Sequence, residues 1–279
     1  MGSTSPALQR KVLRVLERIG EPPVLLHGKA LLASGTLVSD LDILVRSDPV
    51  GVVEMLAEKL AGEGSRLIFV WASDVGTLNT FWWDDVQQAG CQVDMLWDLR
   101  GGNRFGVRTG GFWELQQREG EIRVLTAEAE SIYTAAKRLA KGQPAEYRVA
   151  LRELDVVKIS PRLLAPRVRW MLRLKPSPLV IWAFGSFTLV RSRLFRLGDR
   201  LRRPQGVVVD GFAEDSADGL AAVLPRVEFV RDVTWRSRIR ARFLPTVIIR
   251  VAGSGPSRSP AELLSELSGV AQRQLASLR

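Results

Sequence analysis

The sequence predicts an α/β (α+β) protein in which a mixed sheet with flanking helices is followed by a helical extension and then by a smaller α/β unit. Three observations predict it. Over the first hundred residues, helical apolar spacing alternates with short runs of branched and aromatic residues. From 127 to about 203 the apolar spacing is helical and basic residues gather. After 206 the strand–helix alternation returns. The expected parts are therefore 1–130, 131–205 and 206–279.

Taken in order, Leu8, Val12, Val15, Leu16 and Ile19 recur at helical spacing behind Ser5, a natural cap, and Glu21-Pro22-Pro23 ends that helix. Val24 to Leu26 is a short apolar strand running into Gly28. Leu41 to Val45 is a second, with Asp40, Asp42 and Leu44 on one face. Asp48 caps a helix running to Leu60, with Pro49 at its first position. Leu67 to Trp71, Thr77 to Trp83 and Gln92 to Trp97 have strand composition. Ala127 to Ala140, Ala145 to Val157, Pro161 to Leu174 and Leu179 to Arg203 read as helices. The last part reads as strand Val207 to Val209, helix Asp218 to Leu224, strand Thr246 to Val251 and helix Pro260 to Leu278.

Composition bounds the alternatives. A chain of 279 residues, 46% apolar and 25% charged, has the make-up of a globular protein, which excludes a disordered tail, a collagen-like repeat and a mini-protein. The one cysteine, Cys91, excludes a disulfide framework, and the one histidine, His27, cannot supply the His pairs of common catalytic zinc sites. The expected location is the reducing cytoplasm. No signal-like pattern precedes the first helix, and no uncharged apolar run reaches the ~20 residues of a membrane span.

The net charge of +10 is unevenly placed. Residues 1–130 carry 13 Lys and Arg against 18 Asp and Glu, residues 131–205 carry 17 against 4, and residues 206–279 carry 10 against 8. The basic middle block is expected to meet nucleic acid, nucleotide phosphates or an anionic membrane surface, which would make the protein membrane-peripheral; the alternative is a set of solvated helix faces.

The segments that carry chemistry are Leu25-Leu26-His27-Gly28-Lys29, Ser39-Asp40-Leu41-Asp42-Ile43-Leu44-Val45 and Val93-Asp94-Met95-Leu96. Carboxylates at i and i+2 of a strand point to one side, about 6–7 Å apart, close enough to share a hard cation. Burying such like charges is costly unless a cation neutralises them. Mg²⁺ suits this donor set, and two such ions clamp both the attacking and the leaving oxygen in phosphoryl transfer.

This pattern resembles the nucleotidyltransferase superfamily with the polymerase-β-like fold, over roughly residues 20–135. The resemblance implies one or two Mg²⁺ held by Asp40, Asp42 and Asp94, with Asp94 as ligand or general base. It further implies nucleotide binding at Gly28, Lys29 and Ser39. Many members carry Gly-Ser or Gly-Gly where this chain has Gly28-Lys29 behind His27. Lys29 either sits beside the phosphates as a point charge or points to solvent.

Other residues have two readings each. Asp98 is either a further acid on the face of Asp94 or a turn residue. His27 is either catalytic or a packed, hydrogen-bonded residue. The aromatics Trp71, Phe81, Trp82, Trp83, Trp97 and Trp113 either include a base-stacking ring or pack the core. The long helix, with Trp182, Phe184 and Phe187 before Arg191, Arg193, Arg196, Arg200, Arg202 and Arg203, either rests on anionic lipid or a partner, or links parts with a buried first half and a solvated second half.

The run Gly206 to Leu220 resembles the first βα unit of thymidylate-kinase-like P-loop proteins. In register with the phosphate loop from Gly211, however, Ser216, Ala217 and Asp218 replace the second glycine, the lysine and the hydroxyl residue. Residues 206–279 are thus expected to be a degenerate kinase-like unit that scaffolds or binds a protein partner. The expected activity is Mg²⁺-dependent transfer of a nucleoside monophosphate from an NTP to an unidentified acceptor. The alternative is a catalytically silent scaffold or regulatory subunit that binds protein or nucleic acid.

Overall fold

The computed structural model describes residues 5–27, 40–98, 103–152, 154–155, 158–202, 206–212, 224, 227–230, 233–243, 247–251 and 259–279. It is a mixed α/β structure built on a seven-stranded mixed sheet, with nine helices among the described residues.

Helix α1 (Pro6–Arg18) starts where Leu8 N–H donates to Ser5 Oγ at 3.1 Å, and it buries Leu8, Val12 and Leu16. Strands β1 (Val24–Leu25) and β2 (Asp40–Leu44) follow. Next comes α2 (Pro49–Ala61), capped by Asp48, whose Oδ2 accepts from Gly51 N–H at 3.1 Å. The strands β3 (Ser65–Asp74), β4 (Thr77–Asp84) and β5 (Ala89–Leu96) form an antiparallel meander, each longer than its apolar run because cross-strand pairing extends beyond the branched residues. A short helix α3 (Thr109–Trp113) precedes a hairpin of β6 (Gln116–Glu119) and β7 (Ile122–Leu125), which the apolar pattern did not predict because β6 is polar and largely exposed and β7 is only four residues long, with Val124 and Leu125 buried.

The strand order is β3-β4-β5-β2-β1-β7-β6, with β2–β5 and β1–β7 parallel and the other pairs antiparallel. Alternation along β2 divides its side chains between the two faces of the sheet. Leu41 and Ile43 join the core beneath α1 and α2, whereas Leu44 joins a second core beneath the helices that follow β7. Asp40 and Asp42 share the face of Leu44, so the acids look toward those later helices.

Those helices are α4 (Ala127–Ala140), α5 (Pro144–Leu151), α6 (Pro166–Leu174) and α7 (Pro178–Arg202). Thr126 caps α4 through Oγ1, accepting from Ala129 N–H at 3.3 Å. The helix expected over 145–157 ends at Leu151. The one expected from Pro161 starts only at Pro166. Residues 161–163 form a turn, Leu164 is bridged to Val107, and Leu163 O accepts from Arg108 N–H at 2.7 Å, which holds these residues out of the helix. Helix α7 is continuous as expected, but its first half is not buried: Leu179 is 73% and Trp182 61% exposed. Glycine decides how α7 docks: the Cα atoms of Gly142, after α4, and Gly185, within α7, meet closely enough to exclude a side chain.

A second, parallel sheet joins β8 (Val207–Phe212), β10 (Val247–Val251) and β9 (Val227–Val230) in the order β8-β10-β9. Helix α8 (Trp235–Phe243) lies between β9 and β10 in sequence, and α9 (Pro260–Ala276) ends the chain with a Ser259–Glu262 capping box. The helix expected over 218–224 lies outside the described residues, apart from Leu224. Leu263, Leu264 and Leu267 of α9 pack with Ile249 against Ile68, Trp71, Phe81 and Trp83 of β3 and β4. Among the described residues no helix is long and apolar enough to cross a membrane.

Candidate metal centre

Register brings the three acids together. In the parallel β2–β5 pair Asp42 lies opposite Asp94 and Asp40 opposite Gln92. Carboxylate oxygens of Asp40, Asp42 and Asp94 all lie within 4.8 Å of one another. This acidic triad could hold a metal ion: three carboxylates are the hard oxygen donors that Mg²⁺ selects. Nearby, the buried Oγ1 of Thr77, which lines the same cavity, and Oδ1 of Asn79 have no hydrogen-bond partner, as expected beside a hydrated ion. Gly28, Lys29 and Ser39 lie outside the described residues.

The acids sit in different electrostatic settings. Burial raises the pKa of Asp42, but the hydrogen bond from His27 and the charge of Lys137 outweigh it and hold the carboxyl at about 2. Lys137 Nζ donates to Asp42 Oδ2 at 2.8 Å and lies 2.9 Å from His27 Nε2, which itself contacts Asp42 Oδ2. His27 is thus a hydrogen-bonded residue within the site. Asp94 goes the other way: burial and the neighbouring Asp42 charge raise it to about 7, although Asn79 Nδ2 and Gln92 Nε2 donate to its Oδ1.

Three cations line the same cavity of about 180 Å³, which also includes Phe105 and Tyr133: Arg104, Lys137 and Lys141. Burial first, then the charges of Lys137, Arg138 and Arg104, push the Lys141 amine below its usual range. One pocket therefore holds acids and cations together, with Lys137 already paired to Asp42. A larger cavity, about 700 Å³, opens between α1 and the β6–β7 hairpin, at the other end of β1. It has no acid triad, and Arg118 and Arg123 there lie 3.7 and 3.1 Å from Glu17. Only the smaller one holds the acid triad.

The remaining expectations separate cleanly. Asp98 is a structural residue: its Oδ2 accepts from Thr109 N–H at 3.0 Å at the start of α3. Trp71, Phe81, Trp82 and Trp83 are buried in the cores. The rings at the acid cavity are Phe105 and Tyr133, which the sequence pattern did not single out. A signal for part of this wall did exist, since Tyr133, Lys137 and Lys141 stand at i, i+4 and i+8, one stripe of α4 and its C-terminal turn.

The raised carboxyl gives a stability prediction. Asp94 is neutral in the folded metal-free protein up to about pH 7, whereas its ordinary value is 3.8. Its contribution is complete below about 4 and is lost as pH rises through about 7. Asp94→Asn, which keeps an acceptor for Asn79 and Gln92, is expected to flatten this decline. Above pH 7 it should be more stable than wild type by a few kcal/mol, since a tenfold change in proton affinity is worth about 1.4 kcal/mol. Urea denaturation across pH in the presence of a chelator checks it; parallel curves for the two proteins would refute it.

No protein-family model, curated protein or solved structure matches this chain.

Proposed function

We propose that this chain transfers a nucleoside monophosphate from an NTP to a hydroxyl or phosphate acceptor, releasing pyrophosphate. The observation that carries this reading is the small cavity in which Asp40, Asp42 and Asp94 face Arg104, Lys137 and Lys141. Asp40, Asp42 and Asp94 would hold Mg²⁺, which when bound neutralises phosphate charge and polarises the phosphoryl group under attack. The cationic wall binds and orients the triphosphate oxygens. Asp94 would either complete the ligand set of the metal or accept the proton of an attacking hydroxyl. Phe105 and Tyr133 belong to the apolar part of the cavity lining.

A second reading, a silent scaffold of the same fold, has its own supporting observation. Lys137 and His27 both engage Asp42 Oδ2, so the protein already supplies the acids with a counter-charge. Calorimetric titration with Mg²⁺ and non-hydrolysable NTPs separates the two. The wild type is expected to bind nucleotide only with metal, and Asp40→Ala/Asp42→Ala to lose at least ~100-fold in affinity, about 2.7 kcal/mol. Absence of binding in the wild type would leave the scaffold reading.

A further inference from the structure

We infer that the outer face of α7, together with the exposed side of α6, docks on an anionic phospholipid surface. Met55, Val86 and Val149 apart, every exposed large apolar side chain among the described residues lies between 166 and 243. On α7 these are chiefly Leu179, Trp182, Phe187, Val190, Leu194 and Leu197, from 48% to 73% exposed. At 100° per residue they fall within one stripe about 140° wide and about 27 Å long. The opposite face carries the buried Ile181, Thr188 and Ser192, so the stripe is the face turned away from the protein.

Charge names the occupant. Arg191 and Arg193 stand at the two margins of the stripe by the same angular count, and residues 131–205 carry 17 Lys and Arg against 4 Asp and Glu. On α6, Trp170 is 61% and Leu174 54% exposed, and Arg167, Arg169, Trp170 and Arg173 line a groove of about 440 Å³. The buried Arg167 Nε has no hydrogen-bond partner. Burial and the neighbouring charge of Arg191 push Arg167 below its usual range, so the two helices present like charges side by side. Helix α8 packs against α7 and repeats the theme, with Trp235 68% exposed beside Arg236.

A second copy of the chain does not suit this face, because a twofold contact would bring a second set of the same arginines, and among the described residues no acidic patch to pair them, into the interface. Nucleic acid would neutralise the arginines but leave the apolar stripe in water. A bilayer interface accepts both: apolar side chains enter the acyl boundary, tryptophans sit at headgroup level and arginines meet anionic lipid.

The test uses the full chain and sedimenting vesicles of phosphatidylcholine and phosphatidylserine at three to one, or of phosphatidylcholine alone. Expected are binding to the mixed vesicles that weakens with salt, a blue-shifted tryptophan emission on binding, and at least tenfold weaker binding to neutral vesicles. Trp182→Ser/Phe187→Ser and, separately, Arg169→Glu/Arg193→Glu are expected to weaken binding at least tenfold; Trp182, Phe187 and Arg193 are exposed and Arg169 is half-buried, and an unchanged circular dichroism spectrum checks that each variant is folded. Failure to bind the mixed vesicles at low salt would overturn the inference, as would a stripe variant that binds like wild type. So would a wild-type dimer in sedimentation velocity that the stripe variant converts to monomer, or binding to an RNA oligonucleotide without binding to vesicles.

Discussion

Lys137→Met is expected to lower the stability of the metal-free protein by about 3 kcal/mol, the scale for removing one partner of a largely buried ion pair. Lys137 Nζ lies 2.8 Å from Asp42 Oδ2, with side chains 16% and 11% exposed. Without it, Asp42 keeps its burial and its neighbours Asp94 and Asp40 but loses a cation. Its carboxyl must rise from about 2. The sign follows: a depressed carboxylate contributes stability above its ordinary value of 3.8, and this is lost as pH falls through about 2. In the variant that contribution shrinks at neutral pH. A metal at the triad replaces the missing charge, so millimolar Mg²⁺ is expected to recover most of the loss, through binding to the folded state alone. Urea denaturation with and without Mg²⁺ reads both effects. A loss that Mg²⁺ leaves untouched would mean that the three acids form no cation site.

Gly185→Ala is expected to destabilise the protein by about 2–3 kcal/mol, the cost of overpacking, although alanine is ordinarily about 1 kcal/mol better than glycine within a helix. A Cβ on Gly185 would lie 2.2 Å from Gly142 Cα and 2.3 Å from Gly142 N, backbone atoms that no rotamer change can move. Gly142, at φ +68°, is itself required by the left-handed turn that ends α4. Nor can α7 simply shift, because Thr188 Oγ1 donates to Ala140 O across the same contact. Gly198→Ala is the control. It lies on the same helix with no atom within 4 Å of an added Cβ, and it is expected to be neutral or stabilising by up to about 1 kcal/mol. Thermal denaturation of the pair gives the comparison, and equal effects would show that propensity rather than the close contact governs this helix.

The acids were legible in the sequence because a period of two is local: Asp40 and Asp42 must share a face of any strand they occupy. Placing Asp94 opposite Asp42 needed the parallel pairing of β2 with β5, which no local pattern encodes. Lys137 was harder still. Its approach to Asp42 depends on the parallel β1–β7 pair carrying α4 across the sheet, and β7 is only four residues long and paired to a polar strand. Helix α7 shows the opposite failure. Its apolar run suggested burial in its first half, since composition cannot tell a side chain that packs inward from one that is left facing out. Asp98 and the buried tryptophans, by contrast, followed the ordinary rules of capping and core packing.

The position of α9 bears on how the protein is made. Its Ala271 and Leu275 enter the core that holds Leu8 and Val12, and its Leu263, Leu264 and Leu267 cover Ile68, Trp71, Phe81 and Trp83. During synthesis, the β3–β4–β5 meander therefore leaves the ribosome long before its cover does. Through that interval a tryptophan-rich sheet surface is naked, and a nascent chain in this state is open to aggregation. Slow translation of the residues between the meander and α9 would extend that exposure, so the yield of folded protein should depend on chaperone supply.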